Sequence, residues 1–201
     1  PGQPVAPHRD RRDELDVAQP GRRAIDRGAA RFVGIEPGNF GVDEALHEHY
    51  TGLIRNAGTL LYGRVTYQLM ESFWPLLVKE PSGEPAMDDF AQAIDSIPKV
   101  VFSHTLDKVN WHSARLAVQS PEEEIKMLRQ ESGGDIFIGS PGLIAHLTRM
   151  KVIDEYQLCV HPVIAGQGLP LFKNLSQPVQ LHLEETKLLP GGQMILFYVP
   201  V

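Results

Sequence analysis

The chain has a single cysteine, Cys159, among its 201 residues. One thiol can form neither an intrachain disulfide nor a cysteine-based zinc site, so any cofactor chemistry falls to an organic cofactor or to His, Asp and Glu ligands. No apolar run approaches the roughly 20 residues of a membrane span, and the first residues lack the charged, then apolar, then small-residue order of a signal peptide. The expectation is a cytoplasmic protein. An excess of basic charge is missing too: the formal net charge is -6. Neutralising nucleic-acid phosphates takes a basic face, which argues against DNA or RNA as partner. Neither the Gly139 to Gly142 run nor Gly166-Gln167-Gly168 completes Gly-x-Gly-x-x-Gly, and there is no Gly-x-x-x-x-Gly-Lys. A conventional dinucleotide fold and a P-loop are therefore unsupported.

What is present is ordinary globular composition, 42% hydrophobic and 22% charged, in a length that suits one domain. Residues 1–40 stand apart. They hold seven arginines and no lysine, against five arginines and seven lysines in the rest of the chain. Five prolines and several glycines interrupt them, and no period of 2 or 3.6 is sustained. Six acidic residues nearly cancel the seven basic ones, so an electrostatic arm is disfavoured. The expectation for 1–40 is an atypical extension without regular elements, and a shifted reading frame gives an alternative origin for it.

From residue 41 the pattern alternates between helices and short apolar strands. Asp43 can cap a helix running to about Asn56, and Thr59 to Tyr62 reads as a buried strand. Arg64 to about Phe73 reads as a helix ended by Pro75, and Asp88 to Ile94 as another. Lys99 to Ser103 and Asp135 to Ile138 are strands. Ser120 and Pro121 open a helix whose acidic first turn suits the helix dipole. Leu143 to Met150 is helical, and strands follow at Glu155 to Val160, Val179 to Lys187 and Met194 to Val199. Strands alternating with helices predict an α/β fold with a central mixed, mainly parallel sheet flanked by helices and closed by antiparallel C-terminal strands. The apolar run at Gln193 to Val201 predicts either burial by neighbouring elements or an edge covered by a second subunit in a homodimer.

In such a sheet ligands sit beyond the carboxyl ends of the parallel strands. Three places there suit an anion. At Gly63-Arg64-Val65-Thr66 a strand meets a helix start, with an arginine able to fork onto a phosphate and a hydroxyl two residues on. At Ser103-His104-Thr105 a strand ends in two hydroxyls and an imidazole. At Gly139-Ser140-Pro141-Gly142, leading into Leu143, a glycine-bearing turn feeds a second helix start. Other constellations read as structural. His47 and His49 point about 200° apart on a helix, Ser140 lacks nucleophile-elbow spacing, and Trp74 and Trp111 read as core or interface. Cys159 reads as a buried structural thiol with no base beside it. His161, at a strand end, reads more readily as structural than catalytic.

The runs Leu60 to Tyr67, Lys99 to Ser103, Gly134 to Ser140, Ile153 to Tyr156 and Pro162 to Gly168, in this order and spacing, resemble the dihydrofolate-reductase-like family. Within it they are similar to the riboflavin-biosynthesis reductase (RibD C-terminal) domain group, over roughly residues 43–201. The resemblance implies an NADPH-dependent reductase of a small heterocyclic or carbonyl substrate, pterin-like or ribitylamino-pyrimidine-like. It also implies that Arg64 meets the adenosine 2′-phosphate, Thr66 the pyrophosphate, Ser103 the adenosine side, and Gly139, Ser140, Pro141, Gly142 and Leu143 the pyrophosphate and ribose; Gly63 joins the cofactor-binding residues because a glycine at that turn allows close backbone approach. Residues 1–40 do not read as the first strand and Ser-Leu-Asp-Gly segment of that family. No proton donor or metal ligand is named, and a non-catalytic nucleotide-binding or dimeric interaction protein is the rival reading.

Overall fold

The computed structural model describes the backbone of Ala30–Val33 and residues 44–131, 133–168, 170–172 and 175–201. The expectations for residues 1–29, for 34–40 and for Asp43 as a cap lie outside the described residues. Among the described residues eight strands and six helices follow one another as β1 (Ala30–Val33), α1 (Glu44–Asn56), β2 (Ala57–Gly63), α2 (Arg64–Glu71), α3 (Trp74–Lys79), α4 (Pro85–Ser96), β3 (Lys99–Phe102), β4 (Ala114–Leu116), α5 (Pro121–Leu128), β5 (Asp135–Ile138), α6 (Pro141–Arg149), β6 (Glu155–Val160), β7 (Leu181–Leu188) and β8 (Met194–Pro200). The strands form a single sheet in the order β4-β3-β2-β5-β1-β6-β8-β7. From β4 to β6 all neighbours are parallel; β8 and β7 join antiparallel. The predicted mixed, mainly parallel sheet with antiparallel C-terminal strands is the observed one.

Side-chain alternation divides the core between two faces. Leu60, Tyr62, Val101 and Phe137 pack with Tyr50 and Ile54 of α1, Met70 of α2, Trp74 of α3 and Phe90 of α4. Leu61, Val100, Ile136 and Ile138 point the other way, onto Ile125 of α5 and Ile144 and Leu147 of α6. Strands covered on both faces are apolar at every position, which is why Leu60-Leu61-Tyr62 and Ile136-Phe137-Ile138 show no alternation in sequence. At the foot of the sheet the backbones of β2 and β5 almost touch: a Cβ on Gly134 would lie 2.1 Å from the Asn56 carbonyl oxygen. Only glycine fits there.

Three expectations are corrected and one alternative is decided. Ala30–Val33, inside the segment predicted to lack regular elements, forms β1 between β5 and β6. Four residues are too few to display a period, and it is pairing on both sides that satisfies their peptide groups. Pro75 begins α3 instead of only ending the helix before it, as proline's missing N–H and fixed φ permit in a first turn. Pro85 likewise starts α4 three residues before the predicted Asp88. Of the two alternatives for the C-terminal run, burial by neighbouring elements is the observed one: β8 lies between β6 and β7, with Ile195 and Phe197 buried.

Two buried charged side chains fix loops. Lys99 Nζ donates to the carbonyls of Ile97 (2.8 Å) and Asp95 (3.3 Å) and to Ser113 Oγ (2.7 Å), and sits 4.0 Å from the centre of the Trp111 ring. It closes the carboxyl end of α4 onto the β3–β4 connection. Glu124, fully buried, accepts two bonds from Arg115 and one from the Val118 N–H; the Arg115 guanidinium holds its carboxyl below the usual range. Ser120 and Glu123 form the capping box of α5, as its sequence predicts.

Candidate functional site

The carboxyl ends of β2, β3 and β5 lie side by side, since β2 pairs with both β3 and β5. Gly63 ends β2 and opens α2, and Ser140 opens α6. Neither helix start receives a side-chain cap. Ser140 is turned inward: its hydroxyl, 3% exposed, accepts the Gly63 N–H at 2.8 Å. One hydrogen bond therefore clamps the turn after β2 to the turn after β5. The uncapped first-turn N–H groups of both helices stay available to an anion, and both dipoles favour one.

The other predicted site residues gather around this clamp in different ways. Arg64 is exposed, with Nη1 donating to Gln68 Oε1 at 3.1 Å. Thr66 is half-buried on the same turn. Ser103, one residue past β3, accepts the N–H groups of Thr105 (3.1 Å) and Leu106 (3.0 Å); its hydroxyl hydrogen is left to donate. Pro141 and Gly142 are exposed, and a side chain at Gly142 would meet nothing within 4 Å. Leu143 is buried against the α5–α6 face, so it has only its backbone to offer a ligand. Ser140 likewise serves the joint with its side chain.

The sequence reading missed a group of residues on the other side of Gly139. A Cβ on Gly139 would lie 3.3 Å from Tyr62 Cε1, so the bare glycine lets the Tyr62 ring lie across the end of β5. The Tyr62 hydroxyl is buried without a hydrogen-bond partner, and burial pushes its pKa up. With Tyr50, Leu53 and Ile54 of α1 and with Phe137, it lines a cavity of about 10 Å³, the size of one water. Further along the same face, Tyr50 is hydrogen-bonded to Cys159, and Cys159 Sγ lies 3.5 Å from His161 Nε2. The expectation that Cys159 has no base beside it is therefore corrected. Residues two apart on a strand share a face, and that spacing was the available signal. A cavity of about 700 Å³, lined by Arg149, Ile153, Tyr156 and Gln180 among others, opens at the opposite end of the sheet, where β6 begins.

His47 and His49 diverge, the first against Phe90 and the second against Phe197 and Lys187. Trp74 and Trp111 are core residues. Among the described residues no helix is long and apolar enough to cross a membrane.

Comparison with known proteins gives a consistent set of likenesses. The family model described as the RibD C-terminal domain matches residues 34–197. The Bacillus subtilis protein YyaP is 27% identical over 150 residues, covering 74% of this chain and 77% of its own; YwjB of the same organism is 26% identical over 151 residues, covering 75% and 78%. A putative riboflavin biosynthesis protein from Shewanella sp. PV-4 superposes with a TM-score of 0.62 at 17% identity, covering 86% of this chain and 98% of its own. A dihydrofolate reductase from Enterococcus faecalis, solved in complex with NADP(H), gives a TM-score of 0.52 at 13% identity, with coverage of 87% and 97%. At such identities these structures speak for the fold.

Proposed function

This chain belongs to the RibD C-terminal domain family, and from that membership we propose that it is an NADPH-dependent reductase of a small pterin-like or aminopyrimidine-like heterocycle. The observation that carries the reading is the Gly63–Ser140 clamp, which sets two uncapped helix starts beside one exposed arginine. Two dipoles and two sets of backbone donors suit a pyrophosphate, and a guanidinium forking from the same turn suits an additional phosphate ester. Ser103, at the end of the neighbouring strand, supplies a hydroxyl toward the adenosine side. NADPH, when bound, supplies the hydride; the residues named here bind and orient it.

The presence of β1 supports catalysis over the rival non-catalytic reading, whose main ground was a missing first strand. With Ala30–Val33 between β5 and β6, the sheet is continuous from the phosphate loops to the β6 end where Cys159 and His161 lie. Assembly as a homodimer belongs to the same reading.

Titration with NADPH and NADH, followed by NADPH oxidation in the presence of a dihydropterin and of a ribosylamino-pyrimidine, tests the proposal. The expected result is tighter binding of NADPH and oxidation dependent on one of the two acceptors. Binding with no oxidation would return the non-catalytic reading, and no binding of either nucleotide would overturn the proposal.

A further inference from the structure

The cavity of about 700 Å³ where β6 begins lies at the amino ends of the parallel strands, away from the nucleotide turns. We propose that it is a separate binding site for a small organic anion with an apolar body, and that Lys151 and Arg149 hold the anion's charged head. The site is independent of the reductase reading.

Its volume is that of a small-molecule site, and its walls are of mixed chemistry. Ile153 of the α6–β6 turn, Val179 before β7 and Pro200 at the end of β8 give it apolar surface, and Ser176 and Gln177 give it polar groups. The charged side chains lining it, among the described residues, are Arg149, Lys151 and Asp154. Asp154 is engaged by Arg129, whose guanidinium lies 2.5 Å from its carboxylate and also donates to the Val152 carbonyl at 2.8 Å. That leaves two cations on the wall. A terminal carboxylate on Val201, counted against them, still leaves one positive charge. Lys151 is exposed and forms no ion pair with any described residue. Unbalanced positive charge in a concave, partly apolar site attracts an organic anion.

Lys151 also holds a backbone conformation that a side chain disfavours. At the end of α6 the Lys151 N–H donates to the Thr148 carbonyl (3.1 Å) and the Val152 N–H to the Leu147 carbonyl (3.3 Å), with Lys151 at φ 55°. This left-handed position after a helix is ordinarily glycine's. Among the described residues Lys151 is the one non-glycine residue with positive φ. A lysine there costs backbone energy that glycine would not, and the cost falls on a residue that brings charge to the cavity wall. Strained positions of this kind cluster at ligand sites.

Two other cavities carry no such imbalance. One of about 520 Å³, at the amino ends of β2, β3 and β5, is lined by Lys99, His112 and Arg115. Each has its partner within the protein: Lys99 on the Ile97 and Asp95 carbonyls and Ser113, Arg115 on Glu124, and His112 at 3.8 Å from Asp95. The cavity beside Tyr62 has room for a single water.

Anilinonaphthalene sulfonate, an aromatic organic anion that fluoresces when bound, is a suitable probe. The full chain should bind it saturably, one to one, and in methyl-labelled protein its rings should give nuclear Overhauser contacts to Ile153 and Val179. Lys151→Gly should weaken binding about five-fold while raising the thermal midpoint, because glycine suits the left-handed turn. Lys151→Glu should weaken it about twenty-fold, since a carboxylate then faces the anion. Arg64→Ala should leave the Kd within about two-fold, as expected of distant sites, which separates this cavity from the nucleotide turns. Absence of saturable binding, ring contacts elsewhere, loss of binding in Arg64→Ala, or an unchanged Kd in both Lys151 variants would each overturn the proposal.

Discussion

The Gly63 N–H and the Ser140 hydroxyl meet at 2.8 Å across 77 positions of sequence, and this bond spaces the two helix starts that the proposed phosphate site requires. Because Ser140 accepts there instead of capping its own helix, the α6 dipole is left for a ligand. Ser140→Ala leaves the Gly63 N–H without its acceptor. Stability should fall by about 1 kcal/mol, and NADPH should bind about five-fold more weakly. Chemical denaturation and a nucleotide titration check the two effects separately; unchanged affinity would show that the turns keep their spacing without the clamp.

Arg64→Ala should weaken NADPH by about 1.5 to 3 kcal/mol, the scale of charge-assisted hydrogen bonds, and leave NADH nearly unchanged. The bond from Arg64 to Gln68 occupies one guanidinium nitrogen, so the side chain is oriented along α2 without being consumed. Equal losses for both nucleotides would place Arg64 on the pyrophosphate.

Gly139→Ala would put a methyl carbon 3.3 Å from Tyr62 Cε1, tighter than ordinary carbon contacts. The expected cost is about 1 to 2 kcal/mol. Combining it with Tyr62→Leu should remove much of that cost, and a double-mutant cycle by denaturation measures the coupling. Additive losses would show that the ring does not bear on the glycine.

Lys99 gives a pH dependence with a defined sign. Burial lowers its pKa from the ordinary 10.5 to about 7. Between those values the unfolded chain holds a proton that the folded protein releases, so stability should rise with pH from about 7 toward about 10. Below pH 7 the cost of burying the ammonium is present in full. Lys99→Met should flatten this rise in pH-dependent denaturation, and an equal slope in the variant would assign the dependence elsewhere.

Assembly is tested at an exposed apolar row. Val160, Met194 and Leu188 are paired neighbours on β6, β8 and β7, exposed by 51%, 40% and 68%. A surface of this kind is commonly covered by a partner. Light scattering should give twice the chain mass, and Met194→Lys should shift the protein to monomer. A wild-type monomer at micromolar concentration would show that no second copy is needed.

Local chemistry was enough for the parts that depend on near neighbours in sequence. Ser120-Pro121 with Glu123 announces the start of α5, Leu60 to Tyr62 and Ile136 to Ile138 announce buried strands, and glycines at strand ends announce the turns of the phosphate site. Each follows from backbone propensity, side-chain hydrogen bonding or apolar runs within a few residues. The tertiary structure decided what depends on pairing between distant segments. It made Ala30–Val33 a central strand, because β5 and β6 supply the hydrogen bonds that four residues cannot specify alone. It placed β8 inside the sheet and β7 at its edge. It made the Ser140 hydroxyl the acceptor for Gly63, and brought Tyr50 of α1 to Cys159 of β6, beside His161 just past the strand. A sequence records which groups can donate, accept or be buried, and only the folded chain determines which of them meet.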